Sequence, residues 1–202
     1  MVGDALFHSL FWGLFAGMMV IRLLSVLQVR RAGERFTPDA QAVRQEGRLA
    51  FSVRVVAFFF LIGMLVAYAV NPGWMRGLDF PLPGAARWVG FGLGLLGLAT
   101  WAWAQVTLGR QWSAHVQLRE EHQLVTGGPY AWVRHPLYAG LVGISLAFAL
   151  VTANWLFVAF GVLAIGFLPS RILHEEKMMK EGVPGYAEYS ARIRFRLLPG
   201  VW

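Results

Sequence analysis

The chain reads as an all-α integral membrane bundle of five transmembrane helices, carrying a polar cytosolic linker and a helical C-terminal tail. Composition points there first. Of its 202 residues, 57% are apolar and 14% charged, against roughly 45–50% and about 25% in a soluble globule. The mean hydropathy is +0.53. Second, the apolar residues gather into five runs near the ~20 residues that a helix needs to cross hydrocarbon. Third, the basic residues are spread unevenly between those runs. The chain has no cysteine, which excludes disulfides, thiolate metal sites and thiol nucleophiles. An ordinary cytosolic enzyme does not fit so apolar a composition.

The first run covers residues 5–29 and is interrupted only by Arg22. It is too long for a cleaved signal and lacks a basic start, so it reads as a genuine span. The second, 49–70, holds Arg54 one turn inside its start, and the third, 85–108, is rich in glycine and tryptophan. The fourth and fifth, 136–152 and 154–173, share only the short connection Val151-Thr152-Ala153-Asn154 and read as an antiparallel helical hairpin. Small residues four apart at Gly13/Gly17 and Gly90/Gly94 permit close helix approach.

Charge then orients the bundle. Arg30, Arg31, Arg35, Arg44 and Arg48 follow the first run, with Arg22 and Arg54 within snorkelling reach of the same side. Arg110, Arg119 and Arg134 lie in the 109–135 linker, and Arg171, Lys177, Lys180, Arg192, Arg194 and Arg196 follow the fifth run. Only Arg76 and Arg87 are left for the other side. The positive-inside rule therefore places the N-terminus outside and the tail in the cytosol, in a cell (inner) membrane. The net charge of +7 is a topology signal, not a nucleic-acid-binding face.

Polar residues crowd into two segments on the cytosolic side. They are the linker GRQWSAHVQLREEHQLVTGGPYAWVRHPLY and the tail RILHEEKMMKEGVPGYAEYSARIRFRLLPGVW, which together hold His115, His122, His135 and His174. Gly127-Gly128-Pro129 forces a turn. Pro136 suits the first turn of a helix, which puts Arg134 and His135 where unpaired amides and the helix dipole favour an anion. Two readings of Arg134 stand: a group that holds a ligand carboxylate, or an interfacial snorkelling charge. Arg171 and Glu175 are four apart on one helix face, at a membrane edge where charge is expensive, while Glu176 points about 100° away. Gly182, Pro184 and Gly185 break this helix, and 186–193 can form a shorter one. Tyr186 and Tyr189 read as interfacial anchors. The expected division is a membrane domain, 1–173, and a tail, 174–202, that completes the site.

Taken together, LGRQWS, HQLVTGGPYAWVRHPLYAG, RILHEEKMM and PGYAEYSARIRFRLLPG, in that order with a hydrophobic hairpin between RHPLY and the glutamate pair, resemble a known signature. It is that of the integral-membrane methyltransferases: isoprenylcysteine carboxyl methyltransferases and their phospholipid N-methyltransferase and thiol methyltransferase relatives. The resemblance covers residues 108–202 and implies S-adenosylmethionine as cofactor. Carried over by motif, His122, Gln123, Leu124 and Val125 line the adenosine end, largely through backbone, Gln117 is a further cofactor-binding residue, and Tyr130 packs on the cofactor. His135, Pro136, Leu137 and Tyr138 hold its amino-acid and ribose portions, Leu137 through its backbone. Glu175 faces the cationic end and Arg171 looks toward the acceptor.

Methyl transfer from a sulfonium is an in-line displacement from an activated donor, so alignment alone supplies about 7–11 kcal/mol. No metal is needed. A lipophilic carboxylate or a thiol needs little help from a base, and an arginine can orient it. A phospholipid amine must first lose a proton, to Glu175 or His174. Arg171 favours the anionic acceptor. Two other classes compete: a membrane reductase that resembles the sterol reductases and uses a nicotinamide cofactor, and a non-catalytic membrane scaffold.

Overall fold

The computed structural model describes residues 2–31, 48–109 and 124–202. Among these, regular structure is helical: α1 (Val2–Arg31), α2 (Arg48–Val70), the single turn α3 (Gly73–Arg76), α4 (Gly84–Leu108), α5 (Pro136–Thr152), α6 (Trp155–Gly182) and α7 (Tyr186–Arg192), with a 3-10 turn at Gly128–Ala131 before α5. The five apolar runs thus become the five longest helices. Asp4–Gln28, Gly84–Leu108 and Trp155–Gly182 are long and apolar enough to cross a membrane, while Val55–Val70 and Pro136–Thr152 are shorter apolar helices.

Successive long helices run in opposite directions. His8 near the start of α1 contacts the Tyr68 carbonyl near the end of α2. Arg87 at the start of α4 donates through Nε and a terminal nitrogen to the Val151 carbonyl at the end of α5, and ion-pairs with Asp4 at 2.8 Å. A helix end leaves its last carbonyls without partners, and Arg87 satisfies one of them while tying α1 to the α4–α5 pair. The turn from α5 to α6 is pinned at the same end. Ala153 adopts φ +48°, the Asn154 side chain caps Leu156 N, and its amide donates to the Met75 carbonyl and to Asp79.

The main apolar cluster also lies toward this end, where Phe7, Phe11, Leu14, Tyr68, Val151 and Phe157 pack together. Phe11 makes edge contacts with Tyr68 and Phe157, with ring centroids 4.8 and 5.1 Å apart. Between α4 and α5 the packing is close enough to exclude side chains. A Cβ on Gly97 would stand 2.9 Å from the Gly140 carbonyl, and one on Gly90 2.5 Å from Leu150. Of the small-residue pairs anticipated from spacing, Gly90/Gly94 lines this interface and Gly17 meets Leu98, but Gly13 has nothing within 4 Å.

At its other end α6 is longer than a membrane crossing requires. Its 28 residues span about 42 Å against a hydrocarbon core of ~30 Å. The helix carries Pro169 in its interior, and its charged portion from Arg171 onward extends beyond the apolar stretch. There it meets α7 and the linker.

Candidate functional site

The site forms where the start of α5, the charged extension of α6 and the tail converge. Tyr138, on the first turn of α5, donates its hydroxyl proton to Glu175 Oε2 at 2.7 Å and accepts from Arg171 Nε at 2.8 Å. The tyrosine thus bridges the two charged residues of α6 that sequence spacing placed on one face. The Arg171 guanidinium lies 5.9 Å from the centre of the Tyr138 ring, within cation–π reach.

Tyr130 comes from the 3-10 turn. Gly128 opens that turn at φ +57°, with space for no side chain: a Cβ would stand 2.8 Å from Thr107 Oγ1 of α4. Tyr130 is buried and its hydroxyl has no hydrogen-bond partner among the described residues. Burial pushes the phenol's pKa up, and the nearby Glu175 charge pushes it further the same way. Buried hydroxyls are nearly always partnered, so a hydroxyl with no partner among the described residues makes Tyr130 a candidate ligand contact.

Behind this row sits a second, centred on a buried carboxylate. Glu176 is 4% exposed. Its carboxylate takes Arg134 Nε at 2.7 Å, His135 Nε2 at 3.2 Å and Arg196 at 3.2 Å. Burial works against the Glu176 charge, but the hydrogen bonds from His135 and Arg134 outweigh it and bring the pKa down to about 2. Arg134 also donates to the carbonyls of Ser190, Ile193 and Arg194. Its backbone N–H and that of His135 donate to the carbonyls of Phe195 and Arg196. The tail is thereby strapped across the start of α5, and Arg196 packs over the Trp202 ring at 4.8 Å.

Both sequence readings of Arg134 are corrected by this arrangement. It is neither a ligand's anion site nor a snorkelling charge, because its guanidinium is consumed by Glu176 and the tail. The His135 ring likewise turns its Nε2 to Glu176. Tyr186 and Tyr189 are not interfacial anchors: both are buried with Val183, and Tyr189 donates to the Tyr130 carbonyl. Leu124 packs on that cluster, Val125 is half-buried, Pro136 is fully buried as the first residue of α5, and Leu137 is half-buried. Gln117, His122 and Gln123 lie outside the described residues. Glu176 and Arg196 were missed as site builders. The adjacency of two glutamates was the available signal, since neighbours on a helix face different partners. Among the described residues, no group of three or more His, Asp or Glu side chains is placed to hold a metal ion.

Comparison with known proteins bears on this geometry. The model of the isoprenylcysteine carboxyl methyltransferase (ICMT) family matches residues 89–181, a region that contains Tyr130, Tyr138, Arg171, Glu175 and Glu176. The cobalt-zinc-cadmium resistance protein CzcN of Cupriavidus metallidurans is 34% identical over 119 residues, which cover 54% of this chain and 52% of that one. Protein-S-isoprenylcysteine O-methyltransferase B of Arabidopsis thaliana is 34% identical over 94 residues, 45% of this chain and 48% of that one. The chain thus spans about half the length of these relatives. YpbQ of Bacillus subtilis is 25% identical over 172 residues, 79% of this chain and 95% of its own. A solved structure of the eukaryotic intramembrane Ras methyltransferase ICMT shares the fold, with a TM-score of 0.54 and 24% identity over 72% of this chain and 54% of that one.

Proposed function

From the ICMT-family match over residues 89–181, we propose that the chain is a membrane methyltransferase that uses S-adenosylmethionine and methylates a lipophilic carboxylate or thiol. The observation that carries this reading is the Arg171–Tyr138–Glu175 row, together with the Tyr130 hydroxyl, which has no hydrogen-bond partner among the described residues. A buried hydroxyl, an aromatic ring and a carboxylate are the groups that a cationic nucleoside donor calls for, so the residues present fit it. When bound, S-adenosylmethionine supplies an activated methyl group, which the acceptor's lone pair takes as the carbon–sulfur bond breaks and the sulfonium leaves as a neutral thioether.

In this reading Glu175 faces the positive end of the donor, and Tyr138 holds that carboxylate in place. Arg171 orients an anionic acceptor from the other side of the same tyrosine. Tyr130, His135, Pro136 and Leu137 shape the cofactor's pocket, and Gln117, His122, Gln123, Leu124 and Val125 enclose the adenosine. Residues 1–173 form the membrane domain, in five spans with the N-terminus outside. Residues 174–202 complete the site at the cytosolic face, so that a polar donor enters from water and an apolar acceptor from the bilayer.

The test is ligand binding to detergent-solubilised protein. S-adenosylhomocysteine is expected to bind saturably, and Glu175→Ala to abolish that binding while the thermal melt is retained. Arg171→Ala is expected to bind like the native protein but to lose methyl transfer from labelled S-adenosylmethionine into a membrane extract. Binding of NADPH with none of S-adenosylhomocysteine would replace this reading with the reductase one.

A further inference from the structure

Residues 192–202 put apolar and basic side chains together on an open surface. Phe195, Leu198, Val201 and Trp202 are between 38 and 63% exposed. Arg192 and Arg194 are exposed beside them, and neither guanidinium is ion-paired among the described residues. In the sequence 186–202 these basic groups face a single carboxylate, Glu188. The segment is held in shape from within. The Arg196 N–H donates to the Trp202 backbone oxygen at 2.7 Å, and that of Val201 to the Leu198 carbonyl at 3.0 Å. Apolar side chains fixed outward in this way leave water only when something outside the chain covers them.

Helix lengths say what lies there. The turn from α5 to α6 is pinned at the opposite membrane surface by exposed charge. Asp79, which accepts from Asn154, and Arg76 stand at that turn and cannot enter hydrocarbon without large cost. From there the 17 residues of α5 reach about 26 Å. That is less than the ~30 Å core, and any tilt shortens the depth further. Pro136 therefore lies at or just inside the far hydrocarbon boundary. Arg171 begins the charged part of α6 at nearly the same depth, about 24 Å past Trp155. The tail pairs its Phe195 and Arg196 carbonyls with the N–H groups of Arg134 and His135, directly before Pro136. Its exposed apolar side chains thus sit in the headgroup layer, which adds about 5–8 Å to the core on each side.

We propose that residues 192–202 are a lipid-docking element of the leaflet on the site's side. Phe195, Leu198, Val201 and Trp202 seat at the boundary of headgroups and acyl chains, and Arg192 and Arg194 take the phosphates of anionic lipids. Tryptophan concentrates at that depth, and the arginine fork matches a phosphate with two parallel N–H groups. An anionic leaflet attracts basic side chains only within a Debye length of its surface, a condition that the length of α5 meets. An acidic protein partner would need the same patch to stand clear of the bilayer, which that length does not allow. Docking also bears on the site, because Arg196 lies within the segment and reaches Glu176 from it. The proposal is independent of which reaction the site performs.

The test uses the full chain in phosphatidylcholine nanodiscs with and without phosphatidylglycerol. Because the native chain has no cysteine, Val201→Cys takes one spin label. That label is expected to collide more with oxygen than with a water-soluble nickel chelate. Separately, unlabelled protein is expected to immobilise spin-labelled phosphatidylglycerol in preference to spin-labelled phosphatidylcholine. Arg192→Gln/Arg194→Gln is expected to reduce that preference severalfold, and Arg192→Lys/Arg194→Lys, which keeps both charges, to retain most of it. A Val201 label reached as readily by the chelate as by oxygen would overturn the proposal. So would native protein without a lipid preference, or an unchanged preference in the glutamine pair. An equal loss in the lysine pair would trace the effect to folding and overturn it too. If labelling at Val201 disturbs the fold, Leu198→Cys carries the label with the same two outcomes.

Discussion

Glu175 and Glu176 are adjacent in sequence yet do different work. Glu175 faces Tyr138 and the candidate ligand space, whereas Glu176 faces inward on three basic groups. Removing the inner charge leaves Arg134 and Arg196 without their counter-ion, and breaking such a buried pair costs about 3–5 kcal/mol. Glu176→Gln is therefore expected to lower the melting temperature sharply in detergent, where Glu175→Ala does not. Acid gives a second readout. The Glu176 pKa is lowered to about 2 in the folded state, so its contribution is complete above the ordinary carboxylate value of about 4.3. It is lost as pH falls from there toward 2, and native protein is expected to lose stability across that window by more than Glu176→Gln does. The importance of the glutamate pair was legible from its setting, but its division of labour was not. Which face turns inward depends on where Arg196, twenty residues later, returns. The same holds for His135. Its place at a helix start was readable, but its commitment to Glu176 makes His135→Ala a change to the fold as well as to the pocket.

At the level of helices, boundaries followed from the apolar runs because a spanning helix must satisfy its own backbone, and length then does most of the selecting. Partner choice did not follow. A small residue every fourth position says that close approach is possible without saying which neighbour approaches. Gly90 and Gly94 proved to lie on the α4–α5 seam, their counterpart Gly140 was not anticipated, and Gly13 faces open space. Gly140→Leu drives a side chain into the Gly97 carbonyl and Trp101 at 2.9 Å. Overpacking of this kind costs about 1–3 kcal/mol and is expected to appear as a lower melting temperature with broadened unfolding. Gly13→Ala is expected to leave the melt unchanged.

For the molecule as a whole, the alternation of helix directions puts Asp4 and the Arg87 cap at one end and the Glu175–Glu176 site at the other. With the proposed orientation, fluorescent or protease-sensitive tags at the two termini should report opposite sides of the membrane in intact cells. Tags on the same side would overturn the five-span reading. In the sequence that expected orientation rests on the charge asymmetry, because lysine and arginine resist translocation. The tail's return onto the linker left no such imprint, since backbone bonds from Arg134 and His135 to Phe195 and Arg196 are blind to side-chain identity.

That strap has a consequence for biosynthesis. A ribosome adding about 5–20 residues per second needs about 1–4 s after Glu176 before Arg196 exists, while the earlier helices are already entering the membrane. Through that interval the nascent bundle holds a carboxylate waiting for part of its shell, and the strap forms only once Phe195 and Arg196 have been added. A premature stop between Ile193 and Arg196 should yield an inserted, inactive protein, an attractive target for membrane quality-control proteases.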